Sequence, residues 1–304
     1  MRDYLGLAAA LAGLLVLFGS VTEHFLTAAT LRTVASQIPA AVVLASGMTL
    51  VLVVGGIDLS VGAVLALSGA VLGACLVSLQ MPLALAAMAC LATGLACGGI
   101  NGLVISRWRL PAFIVTLGMM EAARGLAYQV TGSQTKYLGA GLDRLTGDML
   151  PGVSPAVVLA GVVVLAAQVV LSRTVLGRQI VAIGTNEEAV RLSGIQPGRT
   201  KIIVYAIAGL LASLGAVLHS ARLATADPNA GSGAELQAIA AAVIGGTSLM
   251  GGRGSVLHTL FGVLIIAVLA SGLSHAGAQE PTKRVITGCV IVAAAILDAY
   301  RHRH

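Results

Sequence analysis

The sequence predicts an all-α polytopic membrane protein of about ten spans, on three observations. Hydrophobic residues make up 57% of the 304, charged residues only 10%, and mean hydropathy is +0.96, whereas an ordinary soluble domain carries about 25% charged residues. The apolar residues fall in continuous runs close to the ~20 residues one helix needs to cross a bilayer. Barrel strands would instead alternate apolar and polar residues over about ten positions, and only helices and closed barrels satisfy every backbone polar group without water. The net charge of +6 therefore reports topology, and nucleic acid is not an expected partner.

Spans are expected at 5–20, 33–54, 60–79, 82–104, 112–131, 154–171, 200–221, 235–248, 255–272 and 284–299, forming one transmembrane domain over 1–304. Met1-Arg2 ahead of an apolar run imitates a signal peptide, but no small-x-small site follows Phe18, so the first run is read as an uncleaved helix. With the N-terminus cytoplasmic, eleven of the 18 basic residues fall in inner connections and six in outer ones, while Arg124 lies inside a span. That asymmetry places both termini inside, with Arg301-His302-Arg303-His304 anchoring the inner face.

The second span ends in Gly55-Gly56-Ile57-Asp58-Leu59-Ser60-Val61-Gly62, two glycines and a carboxylate between apolar runs. Asp58 is costly near hydrocarbon unless protein, water or a helix N-terminus receives it. At an inner connection it is expected to cap the third span or hold its junction, and Gly55, Gly56, Asp58, Ser60 and Gly62 are candidates for a hinge at an inner gate. The eighth span ends in Gly245-Gly246-Thr247-Ser248-Leu249-Met250-Gly251-Gly252, which shares the pattern GGxxLxxG. An internal repeat of the kind found in transporters and coincidence in a glycine-rich chain both account for the match. Gly245, Gly246, Gly251 and Gly252 join the hinge candidates.

Gly69 and Gly73 in the third span, and Gly94, Gly98 and Gly102 in the fourth, stand four apart, spacing that lets helices in lipid approach closely. In the fifth span Glu121 and Arg124 stand three apart, a spacing that brings them to one face as an ion pair. Ionisable and amide groups inside a membrane are also pathway candidates, so Asn101, Glu121, Arg124, Gln129 and Gln237 are singled out for that role, with joining of helices as the plainer one. Cys75, Cys90, Cys97 and Cys289 all lie in apolar runs without CxxC or Cys/His spacing, and read as small buried hydrophobes.

The connection at about 172–199 is the longest inner one. Thr185 followed by Glu188 forms a capping box, Glu187 and Glu188 suit a first turn, and Gly194 and Pro197 supply the stop. A short helix at 186–193 is expected on the cytoplasmic side, with Ala189, Val190 and Leu192 offered to a partner. Outside, Ser232 and Glu235 form a second capping box that starts the eighth span.

Enzyme constellations are missing from the sequence. It contains no HExxH, no GxSxG and no metal-ligand cluster, and each of its three lysines, Lys136, Lys201 and Lys283, follows threonine, not the glycine of a phosphate-binding loop. No catalytic residue and no metal site is expected.

VVGGIDLSVGAVLALSGAV, AIGTNEEAVRLSGI and PNAGSGAELQAIAAAVIGGTSLMGGRGSV together resemble the permease subunits of ribose-type ABC sugar importers, a group that also carries other monosaccharides and autoinducer-2. The resemblance runs from about residue 35 to 297. It implies a type II importer fold in the bacterial inner membrane, with a second permease of the same chain or a paralogue, a separate ATPase that holds ATP and Mg, and a periplasmic binding protein. The chain itself would need no cofactor. The loop matching 184–194 would dock on the ATPase, giving Gly184, Thr185, Asn186, Glu187, Glu188, Ala189, Arg191, Leu192 and Gly194 the coupling role. The binding protein would meet outer loops near 132–153 and 222–234, and spans two, three, eight and nine would rearrange in alternating access. Departures occur at Thr185 and His258, where the family commonly has glycine, and at Ala270-Ser271-Gly272, where Asn-Gly is usual. Two other readings are a permease for a non-sugar solute such as branched-chain amino acids, and a secondary transporter coupled to an ion through Asp58 or Glu121/Arg124.

Overall fold

Twelve consecutive residues, Val42 to Val53, are all buried in the second helix of the computed structural model, which describes residues 2–22, 25–139, 142, 145–147, 153–279, 281–283, 285–290 and 292. That helix, α2 (Ala28–Val53), follows α1 (Arg2–Val21) and is capped by Thr27, whose hydroxyl oxygen accepts from the Thr30 N–H. Burial on every side of the 42–53 stretch explains why its sequence shows no polar stripe. Thr49 meets Thr259 at 2.8 Å and also donates to Ala45 O, so a polar side chain at zero exposure is fully engaged.

Around α2 stand α3 (Val61–Gly73), prolonged by a π-helical turn at Ala74–Ser78, then α4 (Leu83–Trp108), α5 (Ala112–Thr131), α6 (Pro155–Arg173), α7 (Val175–Leu192), α8 (Pro197–Leu223), α9 (Ala234–Ile244) and α10 (Val256–His275). A two-residue antiparallel ribbon, β1 (Lys136–Tyr137) with β2 (Thr225–Ala226), ties two connections together at the end of the bundle opposite α7. α4 lies along α8 at backbone contact. A Cβ at Gly98 would meet the Gly209 Cα at 3.0 Å, and one at Gly102 the Ile202 Cα at 2.6 Å, so the four-residue glycine spacing is a packing surface. Gly69 and Gly73 serve likewise against Ser220 and Ala226. Cys75, Cys90 and Cys97 are buried as expected, but Cys289 is exposed.

α1 packs on α10, with the Phe18 ring seated where a side chain at Gly272 would lie. His275 meets Thr30 at 3.1 Å and Phe25 edge-on at 5.7 Å. The segment Ala270-Ser271-Gly272, at which the sequence departs from the family it resembles, therefore receives α1.

Among the described residues six helices are long and apolar enough to cross a membrane: α2, α3 with its π turn, α4, α6, α8 and α10. α1 offers a shorter apolar run, Leu5–Val21, and α9 has 11 residues, about 16 Å at 1.5 Å per residue, or roughly half of a ~30 Å hydrocarbon layer. The single span expected at 235–248 is thus a half-length helix. The reason lies just before it. Ala226 touches α3 at Gly73 and Gly231 touches it at Gly62, so the chain runs down roughly 16 Å of α3 before α9 begins. The tenth expected span, 284–299, falls largely outside the described residues.

Candidate functional site

Three segments singled out in the sequence meet at one point. α2 ends at Val53 and turns through Gly55, at φ +82°, with the Gly55 N–H donating to Leu52 O and the Gly56 N–H to Val51 O, both at 2.9 Å. This is a Schellman ending, which needs the left-handed conformation that glycine adopts freely. α9 ends the same way one residue later in the motif: Gly246, at φ +79°, donates to Val243 O and Thr247 to Ala242 O. The two GGxxLxxG motifs are therefore related in role but offset by one position. Gly56 makes room for the Tyr205 ring, and Gly245 for the His258 backbone.

The third segment is α7. The Gly252 N–H donates to the Val53 carbonyl at 2.9 Å, joining the α9 end to the α2 end. Gly184 lies against both partners of that bond, so any Cβ there would strike Val53 O and Gly252 N. A Cβ at Gly251 would come within 3.0 Å of both the Gly184 and the Gly55 Cα atoms. Four glycines thus pack backbone on backbone, and α7 bends immediately afterwards.

The bend corrects the expected cap. Asn186, at φ −159° and ψ 95°, interrupts α7, and its side-chain oxygen accepts from the Ala189 N–H at 3.0 Å. Asn186, not Thr185, is the N-cap of the final turns; Thr185 donates instead to Val181 O. Extended backbone at the cap and a side chain able to reach the N3 amide both suit asparagine. Glu188 pairs with Arg191 and Glu187 with Lys201, each at 2.6 Å, so neither glutamate closes a capping box. Val190 is buried, while Ala189 and Leu192 are exposed. Gly194, at φ +83°, ends the helix as expected, and Pro197 opens α8. The helix also begins earlier than expected, at Val175, capped by Thr174.

A polar cluster lies deeper in the bundle. Asp58 is 1% exposed, and one of its oxygens accepts from both the Ser60 N–H at 2.8 Å and the Ser60 hydroxyl at 2.6 Å. Asn101, fully buried on α4, donates to that hydroxyl at 2.9 Å. Asp58 therefore holds the turn into α3, whose N-terminal flank is Ser60, and ties it to α4. Thr116 of α5 bonds to Ile57 O and accepts from the Leu59 N–H.

Arg124 does not pair with Glu121. Its guanidinium donates to the Pro228 and Ala230 carbonyls at 2.5 and 2.8 Å, and Glu121 is exposed on α5. Two carbonyls of a loop passing inside the bundle need a donor, and an arginine fork provides it at fixed geometry. The second expected capping box is also absent. Gly233, at φ +82°, flanks α9, and Ser232 donates back to Asn229 O. Tyr128 donates to the Asn229 side-chain oxygen, so α5 holds this loop at two points. Gln129 and Gln237 are exposed on α5 and α9. The structure thus joins Asp58, Ser60 and Asn101, links Arg124 to the 228–230 loop, and leaves Glu121, Gln129 and Gln237 apart.

Sequence reasoning missed Gln168 on α6, whose side-chain oxygen accepts from the Ser255 hydroxyl and the Leu257 N–H at the start of α10, both at 3.2 Å. A lone amide in an apolar run was the available signal.

The family described as branched-chain amino acid transport system / permease component matches residues 30–295. The chain is 42% identical over 294 residues to the ribose import permease protein of Escherichia coli (strain K12), covering 95% of this chain and 91% of that one. It is 35% identical over 291 residues to the D-allose transport system permease protein of the same strain, covering 95% and 89%. To the fructose import permease protein of Rhizobium meliloti it is 34% identical over 297 residues, covering 94% and 82%.

Proposed function

The chain belongs to the permease-component family of ABC importers, and from that premise we propose that it is the membrane-spanning subunit forming the pathway for a monosaccharide of the ribose class. The contact that carries the mechanical part of this reading is Gly184 against Val53 and Gly252. Through it, any displacement of the exposed final turns of α7 reaches the ends of α2 and α9 without a compressible side chain between them, and close-packed interiors transmit such displacements. The relatives named for ribose, allose and fructose favour a sugar, although the family description names branched-chain amino acids.

In this reading the α7 end faces the cytoplasm of a bacterium, both termini lie on that side of the inner membrane, and a separate ATPase with ATP and Mg docks on residues 184–194. A second permease completes the pathway. A periplasmic binding protein meets the opposite end, where β1 and β2 join the two outer loops into one platform. Gly55, Gly56, Gly245, Gly246, Gly251 and Gly252 form the moving joint of the inner gate. Asp58, Ser60 and Asn101 brace it and do not contact sugar, whereas Glu121, Gln129 and Gln237, being exposed on α5 and α9, are the polar groups available to the pathway. ATP hydrolysis by the full complex tests the substrate class: ribose-type sugars with their binding protein should stimulate it, and stimulation by leucine, isoleucine or valine alone would replace sugar with amino acid.

A further inference from the structure

Met250 and Leu192 are the two most exposed large apolar side chains among the described residues, at 87% and 79%, and they belong to the two segments that meet at the Gly184–Gly251 contact. Leu192 ends α7. Met250 tips a tight turn built to project it. The Met250 N–H donates to the Ser248 hydroxyl oxygen at 3.2 Å, the Ser248 N–H to Arg253 O at 3.0 Å, and Gly251 and Gly252 are both left-handed, at φ +86° and +78°. Ser248 and Thr247 at its base are buried, so the tip is exposed while the stem is fixed. The Glu188–Arg191 pair beside Leu192 has both side chains at least half exposed, so the end of α7 faces water, and Gly252 of the turn lies against Thr185, where those last turns begin. An isolated apolar side chain on a surface requires no explanation. Leu249 and Met250, at 46% and 87%, form an exposed apolar pair on a turn held against the start of the last turns of α7, and an apolar tip in that position asks for a cover.

We infer that the 248–253 turn is a second docking prong for the partner ATPase, with Met250 entering an apolar recess next to the one that receives the α7 end. This rests on the reading of the chain as an ABC permease. The commitment to the ATPase, and not to lipid or a second copy, follows from the contact of Gly251 and Gly252 with Gly184 and Thr185, where the proposed docking segment begins, and from the exposed ion pair on that segment. Methionine suits the role, since its unbranched thioether adapts to irregular apolar surfaces. The consequence is that the ATPase would grip the ends of α7 and α9 separately, on either side of the joint that links both to Val53.

Photo-cross-linking in membranes holding the complete importer tests this, with the reactive residue placed at 250, at 192, or at 79, where Leu79 is 66% exposed at the opposite end. Adducts with the ATPase are expected from 250 and 192 and not from 79. An ATPase adduct from 192 alone, with 250 reacting only with lipid or the other permease, would overturn the second prong and leave the permease reading intact. Absence of ATPase adducts from both would overturn the two together. As a second readout, Met250→Asp should weaken ATPase retention on purification by about tenfold, the size expected of a central apolar anchor, while Met250→Leu retains it. Unchanged retention of Met250→Asp would also count against the proposal.

Discussion

Gly184→Ala is the sharpest perturbation available, because a single methyl group lands on two backbone atoms that are themselves hydrogen-bonded. The added Cβ would overlap Val53 O and Gly252 N and come within 3.0 Å of the Val53 carbonyl carbon, and none of these can rotate away as a side chain would. Overpacking of this kind costs about 1–3 kcal/mol. Separating the two segments also loses the 2.9 Å Gly252–Val53 bond, a further ~0.5–1.5 kcal/mol, so the junction is destabilised by roughly 1.5–4.5 kcal/mol in total. That is a large share of the 5–15 kcal/mol by which a folded chain is typically stable. Confined to the joint, it would shift a gate equilibrium by more than tenfold. The assay is ATP-driven sugar uptake by the complete importer in proteoliposomes, with the amount of inserted variant measured beside it. Gly161→Ala in α6, where nothing lies within 4 Å of the added methyl, is the control and should transport normally. Uptake should fall at least tenfold in Gly184→Ala with insertion retained. Uptake within twofold of the parent would refute the claim that α7 transmits through this contact.

Asp58→Asn, which weakens two bonds from Ser60 worth ~0.5–1.5 kcal/mol each, should cut uptake while the binding protein still docks, as uptake and pull-down assays would read; normal uptake would deny the junction a mechanical part. Arg124→Met strands the Pro228 and Ala230 carbonyls and should lower stability by about 2–5 kcal/mol, whereas Glu121→Gln should change it by less than ~0.5 kcal/mol; equal losses in thermal unfolding would restore the Glu121–Arg124 pair. Asn186→Ala removes the cap of the last turns of α7 and should weaken ATPase retention by a factor consistent with ~1 kcal/mol, with Thr185→Ala close to neutral. The reverse order would return the cap to Thr185.

Environments set by neighbours in sequence are legible there in part, since the helix-ending glycines are and the two capping boxes are not, and those set by distant segments are not. The glycines at 55, 56 and 246 end helices through local bonds three or five residues back, a pattern visible in the string. Gly94, Gly98 and Gly102 announce a helix contact by spacing alone, although nothing in the sequence says that α8 is the partner. Arg124 defeated local reasoning because the i,i+3 glutamate competes with carbonyls more than a hundred residues away, and the loop that bears them is driven into the bundle by its contact with Gly62. The same excursion shortened α9, whose apolar run looks long enough to span until its starting depth is known. Thr185 and Asn186 are adjacent residues able to cap, and it is at Asn186 that the backbone turns extended. The meeting of Gly184 with Gly252 and Val53 is invisible in the sequence because it joins three segments far apart along the chain.

The central claim is that this chain moves sugar only when driven from outside itself. Its most direct test is uptake of a ribose-class sugar into proteoliposomes, assembled with and without ATP, the ATPase and the binding protein. Accumulation should require all three. Uptake persisting when any one is omitted would contradict the account and point to an ion-coupled carrier or a channel.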